Sequence, residues 1–102
     1  MLIFLHGRPL HPGADAFVWD AAKAQLNQRK HGIRFEEAAQ VFGDPLLVLV
    51  EASRNQEARD AAIGFDAAGR RLFVVHVEIE DVAIRIISAR MADHKEETAY
   101  AV

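Results

Sequence analysis

The stretch LFVVHVEIEDVAIRIISAR, residues 72–90, decides the fold because it has the pattern of a β-hairpin. Two apolar, β-branched runs flank a short acidic turn at Glu80-Asp81, which places Ile79 opposite Val82. Because side chains alternate along a strand, this register sorts the residues onto two faces. One face is apolar and suits a hydrophobic core: Phe73, Val75, Val77, Ile79, Val82, Ile84 and Ile86.

The other face of the predicted hairpin brings together His76, Glu78 and Arg85. A register shifted by two residues would place Glu78 opposite Arg85 without exchanging the faces. Arg90 has the opposite parity to Arg85, so it points toward the core unless the strand ends near Ser88 or a bulge turns it. A histidine, a carboxylate and an arginine on one face suit acid–base chemistry, but they also suit cross-strand salt bridges on a solvated surface.

Metal-independent RNA cleavage needs three groups that side chains of these types can supply. A base takes the proton of the 2′-hydroxyl, a fixed cation stabilises the charge on the phosphorane, and an acid protonates the leaving 5′-oxygen. Arginine suits the phosphate because its planar fork matches two oxygens. The candidate catalytic residues are His76, Glu78, Arg85, Arg90 and Tyr100, although Tyr100 could equally anchor a last helix by burying its ring.

The segment before the hairpin predicts a strand and two helices. Residues 17–19 predict the strand, and Asp20 then caps a helix over residues 21–31 that Gly32 ends. A second helix over residues 35–43 has its apolar stripe at i, i+3, i+4 and i+7: Phe35, Ala38, Ala39 and Phe42.

The later elements complete the fold. Residues 46–50 form a continuous apolar run, which predicts a strand buried on both faces. Residues 59–65 predict a weaker strand, which leads into a hairpin loop at residues 66–69. A capping-box-like start at Asp93 predicts a last helix over residues 93–101. The order predicts an α+β fold: an antiparallel sheet with two helices after the first strand and a short C-terminal helix.

The first helix is the candidate RNA-binding surface. Ala22 and Leu26 are predicted to face inward, which leaves a polar stripe at i, i+4, i+7. Residues 23–34 contain no acid, so a local basic patch is possible on a chain of net charge −3. A merely solvated face is the alternative. The candidate RNA-binding residues are Lys23, Asn27, Lys30, His31 and Arg34.

Length and composition predict one small domain that is not membrane-bound, and the lack of cysteine fits the cytoplasmic location that we expect. The 102 residues contain no cysteine, and the histidines are scattered, so we expect neither a metal site nor another cofactor. We expect no signal peptide and no membrane span. Residues 1–16 are predicted to be an extension in which Leu2–Leu5 could add an edge strand, while His6 and His11 lie in a solvated loop.

Several blocks of this sequence resemble the BrnT family of toxins. They are FVWDAAKAQLNQRKHGIRFEEAAQVFGDP at 17–45, R-x-x-x-I-G at 59–64, LFVVHVE at 72–78, IRIISAR at 84–90 and E-x-x-x-Y at 96–100. The block K-H-G-x-x-F-E-E-A at 30–38 and the block at 84–90 are specific when they occur together at this spacing. The resemblance covers about residues 17–100, and residues 17–102 would form a single toxin domain.

The resemblance implies a type II toxin–antitoxin system. It implies a RelE-like fold and a ribonuclease that blocks translation by cleaving RNA, either free or on the ribosome. The partner would be a BrnA-like antitoxin with a ribbon-helix-helix domain. The toxin would contact operator DNA only indirectly, through this antitoxin. By motif match the functional residues are Lys30, His31, His76, Glu78, Arg85, Arg90 and Tyr100.

Two positions depart from the family pattern. Arg34 stands where the family commonly has a small hydroxyl residue, so the cap of the second helix should be weaker. Ile79 stands where the family often has arginine, which would weaken phosphate binding. The alternative function is therefore a catalytically impaired homologue that binds the antitoxin and acts as a co-repressor.

Overall fold

A computed structural model describes residues 2–3, 16–80 and 82–101 of the chain. These residues contain three helices and six strands, in the order β1, β2, α1, α2, β3, β4, β5, β6, α3. A short 3₁₀ turn, Gln40–Gly43, continues α2. The bounds are β1 Leu2–Ile3, β2 Ala16–Val18, α1 Ala21–His31, α2 Phe35–Ala39, β3 Val48–Glu51, β4 Asp60–Phe65, β5 Arg71–Ile79, β6 Ala83–Met91 and α3 His94–Ala101.

The six strands form one sheet in the order β1-β2-β6-β5-β4-β3. The predicted α+β class is confirmed, but the sheet is mixed because β2 runs parallel to β6 while the other pairs are antiparallel. The edge strand expected near the N-terminus is present at Leu2–Ile3, which pair with Val18 and Phe17. His6 and His11 lie outside the described residues.

The core lies between α2 and the face of the sheet that carries Leu72, Val74 and His76. The predicted apolar stripe of α2 and its 3₁₀ extension is confirmed, since all four side chains are buried: Phe35, Ala38, Ala39 and Phe42. Residues of β6 complete this face, and Phe17 packs against Phe42 with ring centroids 5.4 Å apart.

The predicted register of the β5–β6 hairpin is wrong by one residue. Ile79 pairs with Ala83 rather than Val82, so the loop has three residues, 80–82. A two-residue turn of the favoured type needs positive φ at both central positions, which suits asparagine and glycine better than the Glu80-Asp81 pair. Because the side-chain period is two, the extra residue exchanges the faces of β5 relative to β6.

A β-bulge in β6 decides on which face of the sheet Arg90 lies. The register shifts between Val75 and His76, which pair with Ser88 and Ile86. The extra residue Ile87 reverses the alternation, so Arg90 shares a face with Arg85 rather than pointing into the core. Of the two alternatives predicted for Arg90, the bulge is the correct one.

Two burial predictions are also wrong. The strand expected at 46–50 is β3, an edge strand that is not buried on both faces, and Leu49 is 45% exposed. Ala22 and Leu26 of α1 face solvent, with Leu26 58% exposed, because the inward stripe of this helix consists of Ala24, Asn27 and His31. The helix turns this way because Asn27 hydrogen-bonds to the main chain of β6.

Candidate RNA-binding site

A cleft opens at the edge of β6 where its parallel pairing with β2 ends. The ladder between these strands stops at Val18 and Arg85. Further along β6, the Asn27 side chain of α1 hydrogen-bonds to the main chain of the strand at Ala89, where β2 no longer pairs with it. The interval between them is a cleft of about 330 Å³ lined by Val18, Trp19, Asp20, Lys23, Arg85, Ile86 and Ile87.

Two cations line this cleft. Lys23, on the first turn of α1, and Arg85, on β6, are both exposed. Neither forms an ion pair with any residue in the described part of the chain. Asp20 caps the helix beside them by accepting a 3.0 Å hydrogen bond from the Lys23 N–H, which lowers the pKa of this carboxyl below its ordinary 3.8. A pair of unpaired cations in a cleft suits a phosphate group.

The last turn of α1 carries further positive charge. The helix contains no acid, and Arg29 and Lys30 are exposed in its last turn. Gly32 closes the helix as predicted, with φ of 71° and its N–H bonded to the Gln28 carbonyl. His31 is half-buried beneath this turn.

Arg34 is the N-cap residue of α2, and its side chain makes no capping hydrogen bond. Its own N–H donates a 2.8 Å hydrogen bond to Glu37, while its guanidinium lies 3.6 Å from the same carboxylate and stays 53% exposed. Arg34 is therefore accessible to a nucleic acid, although a nearby acid reduces its field.

Asn27 differs from the other predicted RNA-binding residues because its side chain is buried and fully occupied. The amide nitrogen donates to the carbonyls of Ile33 at 3.0 Å and Ala89 at 2.8 Å. The amide oxygen accepts from the Ala89 N–H at 3.0 Å. Asn27 thus joins α1 to Ile33, just before α2, and to β6, and its amide is occupied within the protein.

The structure does not bring His76 and Arg85 together. His76 is fully buried on the core face, where its ring lies edge-on to Phe42 with centroids 4.8 Å apart. Its Nδ1 lies 3.1 Å from the Val74 carbonyl oxygen. The one-residue change in register explains this position, because it turns the even-numbered residues of β5 toward α2.

Glu78 is exposed near the end of β5 and lies on the opposite face from Arg85. It lines a separate cleft with Arg59 and two further acids, Glu51 and Asp60. In the described part of the chain, no three histidine or acidic residues converge as a metal ion would require.

Arg90 is held by α3. Its guanidinium makes a bidentate pair with Glu96, at 2.7 and 2.8 Å, and lies 4.4 Å above the centre of the Phe73 ring. The hydrogen bonds to Glu96 raise the pKa of Arg90. Glu96 also completes the predicted capping box with Asp93, so one carboxylate fixes both the helix start and the arginine.

Tyr100 anchors α3 to the sheet. Its ring is edge-on to Phe65, and its hydroxyl donates a 2.7 Å hydrogen bond to Asp44. That bond raises the pKa of Tyr100 above 10.0. Burial alone would raise the pKa of Asp44, but the N–H groups of Phe65 and Leu46 and the Tyr100 hydroxyl outweigh it and lower the pKa.

The sequence indicates only a helix end at Asp44, and nothing local to it predicts a tyrosine partner 56 residues away. The same holds for Arg71, which lies over the rings of both Phe65 and Tyr100. Trp19 and the bulge residue Ile87, which line the cleft, were likewise not predicted as site residues. The N-cap pattern at Asp20 was the available signal, since it places Lys23 beside the end of β2.

The family model for the ribonuclease toxin BrnT of the type II toxin-antitoxin system matches residues 19–96. Among solved structures, the chain resembles the Brucella abortus ribonuclease toxin BrnT, with 24% sequence identity and a TM-score of 0.60. That alignment covers 76% of this chain and 96% of the other, and it supports the fold. No curated protein matches. None of the helices in the described residues has the length and apolar character needed to cross a membrane. Since the family model spans most of the chain, this protein belongs to the BrnT family of ribonuclease toxins of type II toxin–antitoxin systems.

Proposed function

We propose that this chain is a metal-independent endoribonuclease that blocks translation by cleaving RNA. The observation that carries the proposal is the cleft in which Lys23 and Arg85 are exposed and make no ion pair within the described residues. The acid-free helix α1 extends from this cleft, so its cations could follow an RNA backbone.

Arg85 is the residue to which we assign stabilisation of the phosphorane. Its planar guanidinium can donate two parallel hydrogen bonds to phosphate oxygens, and no carboxylate among the described residues pairs with it. Lys23 adds a second positive charge across the cleft. Fixed cations aimed at developing charge contribute most when they need not reorganise.

Proton transfer is assigned by accessibility among the predicted groups. His76 is buried, and the Tyr100 proton is held by Asp44. Glu78 is the exposed acid–base group of the predicted set, so we keep it as the candidate, with RNA crossing the hairpin end to reach it. The roles of His76, Arg90 and Tyr100 in catalysis remain predictions from the motif match.

A second function is favoured by one specific feature. Ile79 occupies the position where the family often carries an additional arginine, and Arg90 is already paired with Glu96. A chain with fewer free cations would bind RNA weakly and could serve as a catalytically impaired homologue that binds the antitoxin and helps to repress the operon.

The partners follow from the family. We propose a cognate BrnA-like antitoxin with a ribbon-helix-helix domain, and RNA that is free or ribosome-bound, in the cytoplasm. Operator DNA would be reached only through the antitoxin. We also propose that residues 17–102 form the toxin domain and residues 1–16 an extension to it.

The test is cleavage of total RNA and of a short model RNA by the purified chain, with and without a metal chelator. Arg85→Ala and Lys23→Ala should lower the cleavage rate, Arg85→Ala by at least about 100-fold, because each removes a cation aimed at the phosphate. Arg54→Ala is the matched control, since Arg54 is an exposed arginine in the β3–β4 turn, at the opposite side of the sheet. Thermal unfolding should be unchanged in all three variants.

Chelator-resistant cleavage that Arg85→Ala removes would support the nuclease. Unfolding of Arg85→Ala would instead make this arginine structural and overturn its assignment. If free RNA is not cut, growth arrest on expression in cells would indicate a ribosome-dependent toxin, and normal growth would favour the impaired homologue.

A further inference from the structure

The face of the sheet opposite α2 is apolar across its central strands. The exchanged register of β5 turns three of its aliphatic residues, Val75, Val77 and Ile79, away from the core. Each is only half-buried, and so is Val50 of β3. We call this set, Val50, Val75, Val77 and Ile79, the open face.

Helix α3 covers only one end of the sheet on this side. It packs against β4, through Tyr100 on Phe65, and its pair with Arg90 covers Phe73. None of residues 94–100 is buried, and the contacts of this helix with the sheet described above are aromatic and charged. The open face lies beyond this helix, toward the β5–β6 loop.

The register gives the open face a definite shape. One cross-strand row consists of Val50, Ala61, Val75 and Ser88, which are in direct cross-strand register; Ala61 is fully buried, and the other three are half-buried. The next row contains Val77 opposite Arg85 and Arg85 opposite Val18. A shallow apolar strip therefore leads directly to the exposed guanidinium of the candidate RNA cleft.

We infer that the open face is the docking surface of the antitoxin, and that a segment bound there places an acidic side chain on Arg85. This inference rests on the proposed function for its partner and for the value of covering Arg85. An apolar strip suits a protein segment better than RNA, whose affinity comes mostly from its phosphates. Arg85, which forms no ion pair with the described residues, lies beside the strip and calls for an acid on that segment, because a cation desolvated at an interface requires a partner.

The occupant we commit to is therefore an amphipathic helix or strand of the antitoxin, with an apolar stripe and at least one carboxylate. Seated on Val75 and Val77, it would mask Arg85 and so block the phosphate site directly. A second copy of this chain is the alternative occupant, and the dependence of thiol protection on the concentration of the chain itself tests for it.

The absence of cysteine from the chain allows a direct test by thiol labelling. Val75→Cys places a single thiol in the centre of the open face, and Val82→Cys places one in the hairpin loop, where Val82 is 60% exposed. The purified antitoxin encoded with this chain is added at saturating concentration, and the rate of maleimide labelling is followed. The labelling rate of Val75→Cys should fall at least about tenfold, because the core of a protein interface excludes solvent. That of Val82→Cys should not change.

A binding titration with Val75→Lys and Val82→Lys gives the second measurement. Val75→Lys should weaken antitoxin binding by about 30-fold or more, as for a central interface residue, while Val82→Lys binds like the unsubstituted chain. Equal protection of both thiols, or none at Val75→Cys, would overturn the inference. Protection by model RNA alone, or protection that rises with the concentration of the chain itself, would also overturn it.

The outcome is separable from the proposed nuclease activity. A chain that cuts no RNA but shows antitoxin protection at Val75→Cys would refute the nuclease and keep the docking surface. A chain that cuts RNA and binds the antitoxin without this protection would refute only the docking surface.

Discussion

Replacing Asn27 by alanine should destabilise the fold without reducing the affinity of the folded chain for RNA. The substitution leaves three buried main-chain groups without their side-chain partners: the carbonyls of Ile33 and Ala89 and the Ala89 N–H. At about 1 kcal/mol for each hydrogen bond, the loss is about 3 kcal/mol. The higher helix propensity of alanine offsets this loss by about 0.5 kcal/mol. The free energy of unfolding should therefore fall by about 2.5 kcal/mol, which lowers the Tm of a domain of this size by roughly 10 °C or more.

Urea and thermal unfolding measure this change, and Gln28→Ala is the matched control. Gln28 is the next residue on α1, its side chain is exposed, and its loss should change stability little. RNA affinity is then measured at a temperature where both variants are folded. If Asn27→Ala were as stable as the unsubstituted chain but bound RNA less tightly, the side chain would face the RNA, as the polar stripe of the first helix predicts. That result would refute the structural role of Asn27.

The remaining predictions concern His76, Arg90 and Tyr100, which the motif match associates with catalysis, and the hydrogen-bond partners of the last two, Glu96 and Asp44. His76→Ala should lower the free energy of unfolding by about 3 kcal/mol, measured in urea, because it leaves a cavity beside Phe42. Glu96→Gln should loosen α3, seen as faster hydrogen exchange in residues 94–100, because it weakens both the Arg90 pair and the capping box. The lowered pKa of Asp44 stabilises the fold above about pH 4, and this contribution should be lost as pH falls further. The hydrogen bond to Asp44 that raises the pKa of Tyr100 stabilises the fold below pH 10.0, and this contribution is lost as pH rises through the raised pKa, so Tyr100→Phe should lower stability at neutral pH and remove the alkaline loss.

Local signals in the sequence predict the ends of the helices well. Asp20 accepts the hydrogen bond expected of an N-cap, and Gly32 adopts the left-handed conformation expected after α1. Gly69, with φ of 81°, closes the loop between β4 and β5 as predicted. These features depend on a few adjacent residues, so the sequence determines them without reference to the rest of the fold.

Burial of α1 could not be predicted in the same way. Its apolar residues are few, and the pattern that would place Leu26 inward competes with a single polar side chain that finds main-chain partners in two other elements. Those partners lie up to 62 residues away along the chain. A buried asparagine with three hydrogen bonds outweighs one exposed leucine, because the unmet main-chain groups would cost more than the apolar area gains.

The position of the candidate site depends on two extra residues in the β5–β6 hairpin: a third residue in its loop and the bulge residue Ile87. Both faces of β5 are apolar in sequence, so hydrophobic alternation alone could not decide which one faces α2. The third loop residue turned His76 inward and Arg85 outward, and the bulge at Ile87 returned Arg90 to the side of Arg85. Each extra residue reverses every side chain beyond it, because the period of a strand is two. The loop thus separates the histidine from the arginine that the motif placed together, and it exposes the valines that lie beside Arg85. In the proposed complex, the third residue of this loop therefore has two effects. It exposes Arg85 to the phosphate, and it exposes the valines on which the antitoxin would bind and block Arg85.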